Sequence, residues 1–327
     1  MKYRQLGKVG PMVSAIGLGR GSQPVKFGEP LEYEFNETIR RAIDVGITLF
    51  DSSDLYWNTR HEVLLGRAIE GRRHKVLIVS KFGNIDLPDG KKGTNGRPEY
   101  VYSSCDASLA RLGLECIDIY IMHRVDPSTP IEETVGAMSR LVEQGKVRYI
   151  GLCEAGPQTL RRAHKVHPLS VLQTEYSLWA RDCEAEILPA CRELGIAYMA
   201  YAPLGRGLLT GSIKKFDDIP ATDRRRKHPR FQPENMQRNA ELVGELERIA
   251  KKNNITAAQL ALAWLLAQGE HIVPIPGTNH VKNLDLNVAA VDVQLSDADV
   301  KELSRIFAPG AGAGLRYNAN SLKGMGI

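Results

Sequence analysis

Four residues that can give up or hold a proton follow short apolar runs of this sequence: Asp51, Tyr56, Lys81 and His123. A tyrosine hydroxyl ordinarily titrates near pH ~10, which makes it a reluctant acid. A lysine ammonium beside it favours the phenolate and lowers that pKa, and a carboxylate would keep the lysine charged and oriented. With an imidazole to hydrogen-bond the same oxygen, such a set would protonate an oxygen atom on which negative charge develops. The four residues therefore predict proton-transfer chemistry, provided that the fold brings them together.

The elements that must position these residues are predicted by a regular alternation. Near-continuous apolar runs are typical of buried parallel strands, and eight of them recur: Val13–Leu18, Ile47–Asp51, Val76–Lys81, Ile117–His123, Val147–Cys153, Ser170–Glu175, Ile196–Ala202 and Ile272–Pro276. Four helical segments between them end near a glycine that can supply a left-handed cap: Leu31–Val45, Glu99–Leu112, Ile131–Gln144 and Glu184–Leu194.

This alternation predicts a (β/α)8 barrel of the TIM type that forms a single domain over residues 1–327, with its site at the carboxyl ends of the strands. The competing arrangement is a doubly wound parallel sheet with a glycine-rich dinucleotide motif. The segment Gly17-Leu18-Gly19-Arg20-Gly21-Ser22 nearly matches that motif, but serine stands at its sixth position. No acidic residue closes a second strand where the motif requires one, so the barrel is favoured.

Composition excludes several other classes of protein. The 327 residues are 43% hydrophobic and 25% charged, which is ordinary for a globular chain, and the net charge is only +5. This charge is too weak to indicate nucleic acid, which usually requires a concentrated basic stripe. The dense cluster Arg224–Lys227 is either a solvated loop or a loop that closes over a phosphate-bearing ligand.

The cysteines and the apolar stretches indicate a cytoplasmic chain with no membrane association. The five cysteines include no C-x-x-C pair, and the eight histidines lack the spacing of metal ligands, so we expect reduced thiols and no metal. The amino terminus has no apolar signal core. The longest apolar stretch, Ile255–Ala267, is too short to span a bilayer and predicts a buried helix.

Taken together, the motifs resemble the aldo-keto reductase superfamily over nearly the whole chain. The resemblance rests on Gly46–Asp51, Tyr56, Val79–Lys81, Asp118–Arg124, Gly145–Gly151, Ala200–Gly211, Pro274–Thr278 and Asn287. His123–Pro127 and Leu152–Ala155 are further similar to a branch of bacterial and plant reductases with broad carbonyl scope.

The resemblance implies NADPH-dependent reduction of an aldehyde or ketone by hydride transfer. It assigns Tyr56 as the general acid, Lys81 and Asp51 as the residues that tune it, and His123 as the residue that positions the carbonyl. It implies that Gln173 binds the nicotinamide carboxamide and that Tyr201 stacks on the nicotinamide ring. The remaining cofactor contacts implied are Gly21, Ser22, Asp51, Cys153, Glu154, Ala202, Leu204, Gly205, Arg206, Gly277, Thr278, Lys282, Asn283 and Asn287.

Two departures from the family pattern affect the cofactor. Cys153-Glu154 stands where many relatives have Ser-Asn, and a thiol is a poorer donor than a hydroxyl. Asn279-His280 follows Gly277-Thr278 where many relatives have a basic residue for the 2′-phosphate of NADPH. We therefore expect NADPH to be preferred by a narrower margin and NADH to be used as well, unless Lys214, Lys215 or the Arg224 cluster compensates.

Two other functions remain open alternatives from the sequence. Channel β-subunits that sense a nicotinamide cofactor share this fold, although they carry a long amino-terminal extension. A barrel lyase or isomerase acting on sugar phosphates would not need Gln173 and Tyr201. The sequence selects no particular carbonyl substrate and no oligomeric state. It does place Arg316, Tyr317 and Asn318 in a carboxyl-terminal tail, Pro309–Ile327, that is available to face the site.

Overall fold

The chain begins with a hairpin that closes one end of the fold. A computed structural model describes residues 1–21, 29–87 and 90–318. Strands β1 (Tyr3–Gln5) and β2 (Met12–Ser14) pair antiparallel, with Arg4 opposite Val13. The turn between them packs on the start of later strands, since the Lys8 amide donates to the Gly195 carbonyl at 2.6 Å.

The strands after the amino-terminal hairpin are β3 (Leu49–Asp51), β4 (Leu77–Phe82), β5 (Asn84–Asp86), β6 (Lys92–Thr94), β7 (Ile117–Met122), β8 (Val147–Cys153), β9 (Val171–Glu175), β10 (Ala197–Tyr201) and β11 (Ile272–Pro274). Seven of them are parallel and form the central sheet, in the order β11-β10-β9-β8-β7-β4-β3. The other two, β5 and β6, pair antiparallel with each other after β4.

The first barrel strand is reduced to three residues, Gly17–Gly19, which form a seam between the two edges of the sheet. Val13–Leu18 was predicted to be one strand, but its first residues pair with β1. Leu18 then bridges Phe50, and Gly19 bridges Gly277, so the segment joins both edges of the sheet and closes the barrel. A Cβ at Gly19 would lie 2.4 Å from the Ile275 carbonyl oxygen, and one at Gly277 would lie 1.9 Å from the Arg20 carbonyl oxygen. Only glycine permits backbones to meet this closely.

Helices cover the outside of the sheet. They are α1 (Glu29–Asp44), α2 (Arg60–Ala68), α3 (Pro98–Leu112), α4 (Ile131–Glu143), α5 (Pro157–Val166), α6 (Ile187–Leu194), α7 (Pro233–Lys252), α8 (Ala257–Leu266), α9 (Val281–Ala289) and α10 (Asp297–Ile306). The four glycines predicted to end helices, Gly46, Gly113, Gly145 and Gly195, all have positive φ angles, between 65° and 88°. Among the described residues, no helix is long and apolar enough to cross a membrane.

The core has two layers, which the alternation of each strand separates. Side chains such as Val79, Ile119 and Met199 point into the barrel, together with Leu6 and Val13 from the amino-terminal hairpin. A larger layer packs between the strands and the helices. The hairpin thus fills the amino end of the barrel, and the polar ends of the strands are left at the opposite mouth.

Candidate active site

Lys81 is the centre of a buried polar group at the carboxyl ends of β3 and β4. Its ammonium lies 2.7 Å from the Asp51 carboxylate and donates to the Tyr56 hydroxyl at 3.2 Å. It also donates to the Ser52 carbonyl at 2.6 Å. The Lys81 and Asp51 side chains are 0% and 2% exposed. Burial disfavours the ammonium, but the Asp51 carboxylate and Tyr56 together raise the pKa of Lys81 above its ordinary value.

Tyr56 stays a protonated phenol in this surrounding. The sequence predicted that Lys81 would bring the pKa of Tyr56 below its ordinary value, and this net direction is wrong. Burial raises the pKa of Tyr56, and the lowering by Lys81 only partly offsets that effect. Desolvation disfavours the charged phenolate, whereas the neutral hydroxyl is tolerated. At neutral pH the hydroxyl therefore carries its proton, as a proton donor must.

His123 lies beside Tyr56 as a neutral imidazole. The two rings meet edge to face with their centroids 6.0 Å apart. Burial, and then the positive charges of Lys81 and Arg124, lower the pKa of His123 well below its usual range. The Ser53 hydroxyl lies 3.3 Å from His123 Nδ1 and 3.1 Å from an Asp54 carboxylate oxygen. The single hydroxyl proton of Ser53 is donated to only one of these two groups at a time, and Ser53 lies between the imidazole and the Asp54 carboxylate.

Asp54 makes a pH-dependent contribution to stability that can be measured. Burial raises the pKa of its carboxyl to about 6. The native state therefore binds more protons than the unfolded chain between about pH 4 and pH 6, and stability falls as the pH rises through this window. We expect Asp54→Asn to raise the free energy of unfolding by about 1–3 kcal/mol at pH 8. Urea titrations at pH 8 and pH 4 measure this gain, which should vanish at pH 4; an equal gain at both would contradict it.

Strained backbone is concentrated at this mouth of the barrel. Trp57, Asn58 and Thr59, directly after Tyr56, have φ angles of 52°, 52° and 71°. Glu154 and Ala202, one residue past β8 and β10, have φ angles of 54° and 48°. Non-glycine residues in the left-handed region cost energy and are often found at functional sites. The strain therefore marks the same end of the barrel as the polar group.

Of the residues expected at the nicotinamide, Gln173 is hydrogen-bonded directly to the buried polar group around Lys81. The Gln173 amide donates to Asp51 Oδ1 at 2.7 Å. The Tyr201 hydroxyl donates to Glu154 Oε1 at 2.7 Å. Cys153 is buried, and its thiol lies 3.1 Å from the Arg124 guanidinium. Burial raises the pKa of Cys153 to about 11, so it remains a thiol.

The segment after β10 turns over the mouth through left-handed backbone. Leu204 precedes Gly205 and Arg206, which both have a φ angle of 57°. Arg206 extends back to the end of β9, where its guanidinium donates to both carboxylate oxygens of Glu175 at 3.1 and 2.8 Å. This pairing holds the segment beside Ala202 and Tyr201.

The residues expected at the adenosine half follow β11. Gly277 is exposed, Thr278 accepts from the His280 amide at 3.0 Å, and Lys282 and Asn283 are exposed in the first turn of α9. Asn287 is buried on the same helix, and Gly21 packs on Asn279, next to Thr278. Ser22, which was also expected to contact the cofactor, lies outside the described residues. This group lies beside the closing seam, where Thr278 lines one small cavity together with Asp51.

Arg20 was not predicted at the mouth, but it lies over the Tyr56 ring, 4.8 Å from its centroid. The tail was expected to face the site, and it contributes Arg316, which forms a two-point ion pair with Glu154 at 3.0 Å for each bond. Tyr317 adds a hydroxyl 3.0 Å from that of Tyr201. The sequence signal for these contacts was the presence of polar residues within two glycine-rich segments, the one around Arg20 and the tail.

Comparison with known proteins assigns the family. A model of the Aldo/keto reductase family matches residues 15–308, so this chain belongs to that family. The probable aldo-keto reductase 1 of Glycine max is 47% identical over 317 residues, which cover 96% of this chain and 91% of that protein.

Two solved structures share the fold. A glycerol dehydrogenase from Gluconobacter oxydans superposes with a TM-score of 0.85 at 27% identity, over 94% of this chain and 95% of the other. A thermostable aldo-keto reductase in complex with the inhibitor epalrestat gives 0.75 at 29% identity, over 94% and 100%. The predicted (β/α)8 barrel is confirmed, and the family supports carbonyl reduction by an oxidoreductase that uses a nicotinamide cofactor.

Proposed function

We propose that this protein reduces a small aldehyde or ketone to an alcohol, with NADPH as the hydride donor and Tyr56 as the general acid. The observation that supports this best is the buried Lys81 ammonium between Asp51, at 2.7 Å, and the Tyr56 hydroxyl, at 3.2 Å. An ammonium this close stabilises a phenolate only after the proton has left. The arrangement therefore suits a tyrosine that gives up a proton during the reaction.

The residues of the chain have separate roles in this proposal. A nicotinamide cofactor, when bound, would supply the hydride for the carbonyl carbon. As negative charge grows on the carbonyl oxygen, the Tyr56 hydroxyl donates its proton to it, and Lys81 stabilises the phenolate left behind. Asp51 keeps Lys81 charged and in place, and His123 hydrogen-bonds the carbonyl oxygen and fixes its direction.

The donors at the mouth fit such a cofactor. Helix amino termini attract phosphate groups, and α9 begins at Val281, shortly after Gly277 and Thr278, with Lys282 and Asn283 exposed in its first turn. Tyr201 offers a part-buried aromatic face for stacking. Tyr201 and Gln173 would hold the nicotinamide, and residues from Gly277 to Asn287 would hold the adenosine half. We also propose one cytoplasmic domain that needs no metal.

The direct test is oxidation of NADPH, followed by absorbance, with a panel of aldehydes and ketones. We expect turnover with at least one carbonyl, together with formation of the alcohol. The same assay tests the two alternatives, because a cofactor sensor would bind NADPH without turnover, whereas a lyase or isomerase would act without consuming it. Tight binding without turnover across the panel would contradict the proposed reduction.

Cofactor preference gives a quantitative prediction. A charge-assisted phosphate contact contributes about 1.5–3 kcal/mol, roughly 10- to 100-fold in affinity. Asn279 and His280 lack a permanent charge, so we expect NADH to support measurable turnover and Asn279→Lys with His280→Arg to widen the preference for NADPH at least ~10-fold. The specificity constants for both cofactors at fixed carbonyl concentration and ionic strength measure it. Discrimination above ~1,000-fold in the wild type would show that another basic group binds the phosphate.

A further inference from the structure

The carboxyl-terminal tail is fastened to helix α7 before it reaches the mouth of the barrel. The buried Asn239 side chain donates to the Ala313 carbonyl at 3.0 Å and accepts from the Ala313 amide at 2.8 Å. One turn of main chain earlier, the Arg238 guanidinium donates to the Ala311 carbonyl at 3.1 Å. These bonds grip the backbone of the tail, so the dipeptide Arg316-Tyr317 that follows is brought to a defined place.

Tyr317 is held through both its ring and its hydroxyl. The Arg206 guanidinium lies 4.7 Å from the centroid of the ring, and the His228 ring lies 5.7 Å from it. Arg206 is itself fixed by two hydrogen bonds to Glu175. With the ring packed in this way, the Tyr317 hydroxyl lies 3.0 Å from the Tyr201 hydroxyl.

The two tyrosine hydroxyls form a chain of hydrogen bonds with a single direction. The Tyr201 hydroxyl lies 2.7 Å from Glu154 Oε1, and a carboxylate oxygen can only accept. Burial raises the pKa of Tyr201 well above its ordinary value, so its hydroxyl keeps the proton that it donates. Because a hydroxyl has only one proton to give, Tyr317 must be the donor to the Tyr201 oxygen. Successive bonds in such a chain polarise and strengthen one another.

Glu154 is the common acceptor that joins Tyr201 to the tail. Arg316 donates to both of its oxygens at 3.0 Å, and Tyr201 and the Glu175 amide donate to Oε1 at 2.7 and 3.2 Å. Three donors therefore meet at Oε1, and the guanidinium covers Oε2. The Glu154 side chain is 0% exposed, so its carboxylate is directed at these groups of the chain and not at the open mouth.

We propose that Tyr317 is a positioning residue of the cofactor site, because its hydroxyl fixes the tip of Tyr201 and thereby the ring on which a nicotinamide would stack. Glu154 and Arg316 hold the two tyrosines together in this role. The inference rests on the proposed function, in which Tyr201 stacks on the nicotinamide. A ring whose direction is already fixed loses little freedom when a ligand stacks on it, and this preorganisation increases affinity. The tail thus contributes to nicotinamide binding through Tyr201, without a contact of its own.

A truncated cofactor separates an effect at the nicotinamide from an effect on the whole mouth. NADPH and 2′-phosphoadenosine diphosphoribose share the adenosine half and the pyrophosphate, but only NADPH carries the nicotinamide. The variants Tyr317→Phe and Tyr201→Phe each remove one hydroxyl and keep the ring, and the third variant combines them. Tyr3→Phe is the matched control, because Tyr3 is 51% exposed in β1, at the opposite end of the barrel. The Kd of both compounds is measured for each protein by isothermal titration calorimetry.

We expect Tyr317→Phe to raise the Kd of NADPH ~3- to 10-fold, the scale of one hydrogen bond, and to leave the Kd of 2′-phosphoadenosine diphosphoribose within ~2-fold. Tyr201→Phe should give the same selective loss, since it interrupts the same chain. The double variant should bind NADPH no more weakly than the weaker single variant, because the two hydroxyls act through one another. Tyr3→Phe should change neither Kd.

Three results would overturn the proposal. An equal loss for both compounds in Tyr317→Phe would show that Tyr317 supports the mouth as a whole. Additive losses in the double variant would show that it acts apart from Tyr201. An unchanged Kd of NADPH in Tyr317→Phe would show that the bond to Tyr201 has no part in binding.

The proposed reduction fails or stands separately, because these measurements need no turnover. A selective loss of NADPH affinity in a protein that reduces no carbonyl of the panel would support the role of Tyr317 and contradict the reduction. A wild type that binds NADPH no more tightly than 2′-phosphoadenosine diphosphoribose would overturn the stacking on Tyr201, and with it this inference.

Discussion

Replacing Tyr56 by phenylalanine is expected to lower turnover at least ~100-fold, the usual scale for loss of a general acid. The change removes only the hydroxyl that lies 3.2 Å from the Lys81 ammonium and leaves the ring packed against His123. The fold and the affinity for NADPH should therefore persist. The measurement is kcat for the best carbonyl of the panel, with the Kd of NADPH taken from fluorescence quenching.

Tyr120→Phe is the matched control for this experiment. Tyr120 lies in β7, fully buried and stacked on Phe82, and its hydroxyl has no hydrogen-bond partner among the described residues. Removing that hydroxyl should leave turnover unchanged, because it contacts no reacting group. Near-normal turnover in Tyr56→Phe would exclude Tyr56 as the acid, and an equal loss in both variants would indicate general damage to the barrel.

The second large effect is expected from the ion pair between Arg316 and Glu154. Their side chains are 4% and 0% exposed, so each charge depends on the other for compensation. Removing one partner of a buried pair typically costs about 3–5 kcal/mol, because the remaining charge is left in a poor solvent. We expect Arg316→Met to lower the free energy of unfolding by about 3 kcal/mol, measured by urea titration at pH 7.

The double variant separates the ion pair from simple packing. Glu154→Gln alone should also destabilise, but Glu154→Gln with Arg316→Met should cost less than the sum of the single changes, because no unpaired charge remains. KM for the carbonyl should rise in Arg316→Met, since Tyr317 would no longer be held beside Tyr201. A loss below ~1 kcal/mol with additive effects would show that the pair contributes little.

Much of the barrel was predictable because buried parallel strands leave an apolar signature. The run Val147–Cys153 coincides with β8, and the other six strands of the sheet differ from their predicted runs by a few terminal residues. Polar residues at the ends of such runs, including Lys81 and His123, could therefore be placed at one mouth from the sequence. The structure brings Asp51, Tyr56 and Lys81 into direct contact.

Other features depended on tertiary context. Val13 begins a run of residues with the composition of a barrel strand. The short turn after β1 instead pairs Val13 antiparallel with Arg4 of β1, and its side chain packs in the base of the barrel. Helices α2 and α5 were not predicted; both are short and carry several charged residues. The helix predicted from Glu184 begins at Ile187, after a separate short turn, Asp182–Glu184.

The electrostatics of the site could be predicted only in part. The sequence provides no measure of how deeply Tyr56 is buried, and burial decides the direction in which its pKa is shifted. It also left undetermined which arginines pair with Glu154 and Glu175 and which are left over, because those pairings join distant segments. The roles of the individual site residues and the single-domain organisation stay predictions.

The seam at Gly17–Gly19 also constrains the order of events during synthesis. Gly19 is translated long before its partner Gly277 and the neighbouring β11. Contacts between such distant residues form slowly, since a long stretch of chain must be ordered first. The ring of strands therefore cannot close on the ribosome until the segment that carries Gly277 has been made. Arg20, directly after the seam, reaches its place over Tyr56 only then, so the mouth of the barrel is completed last.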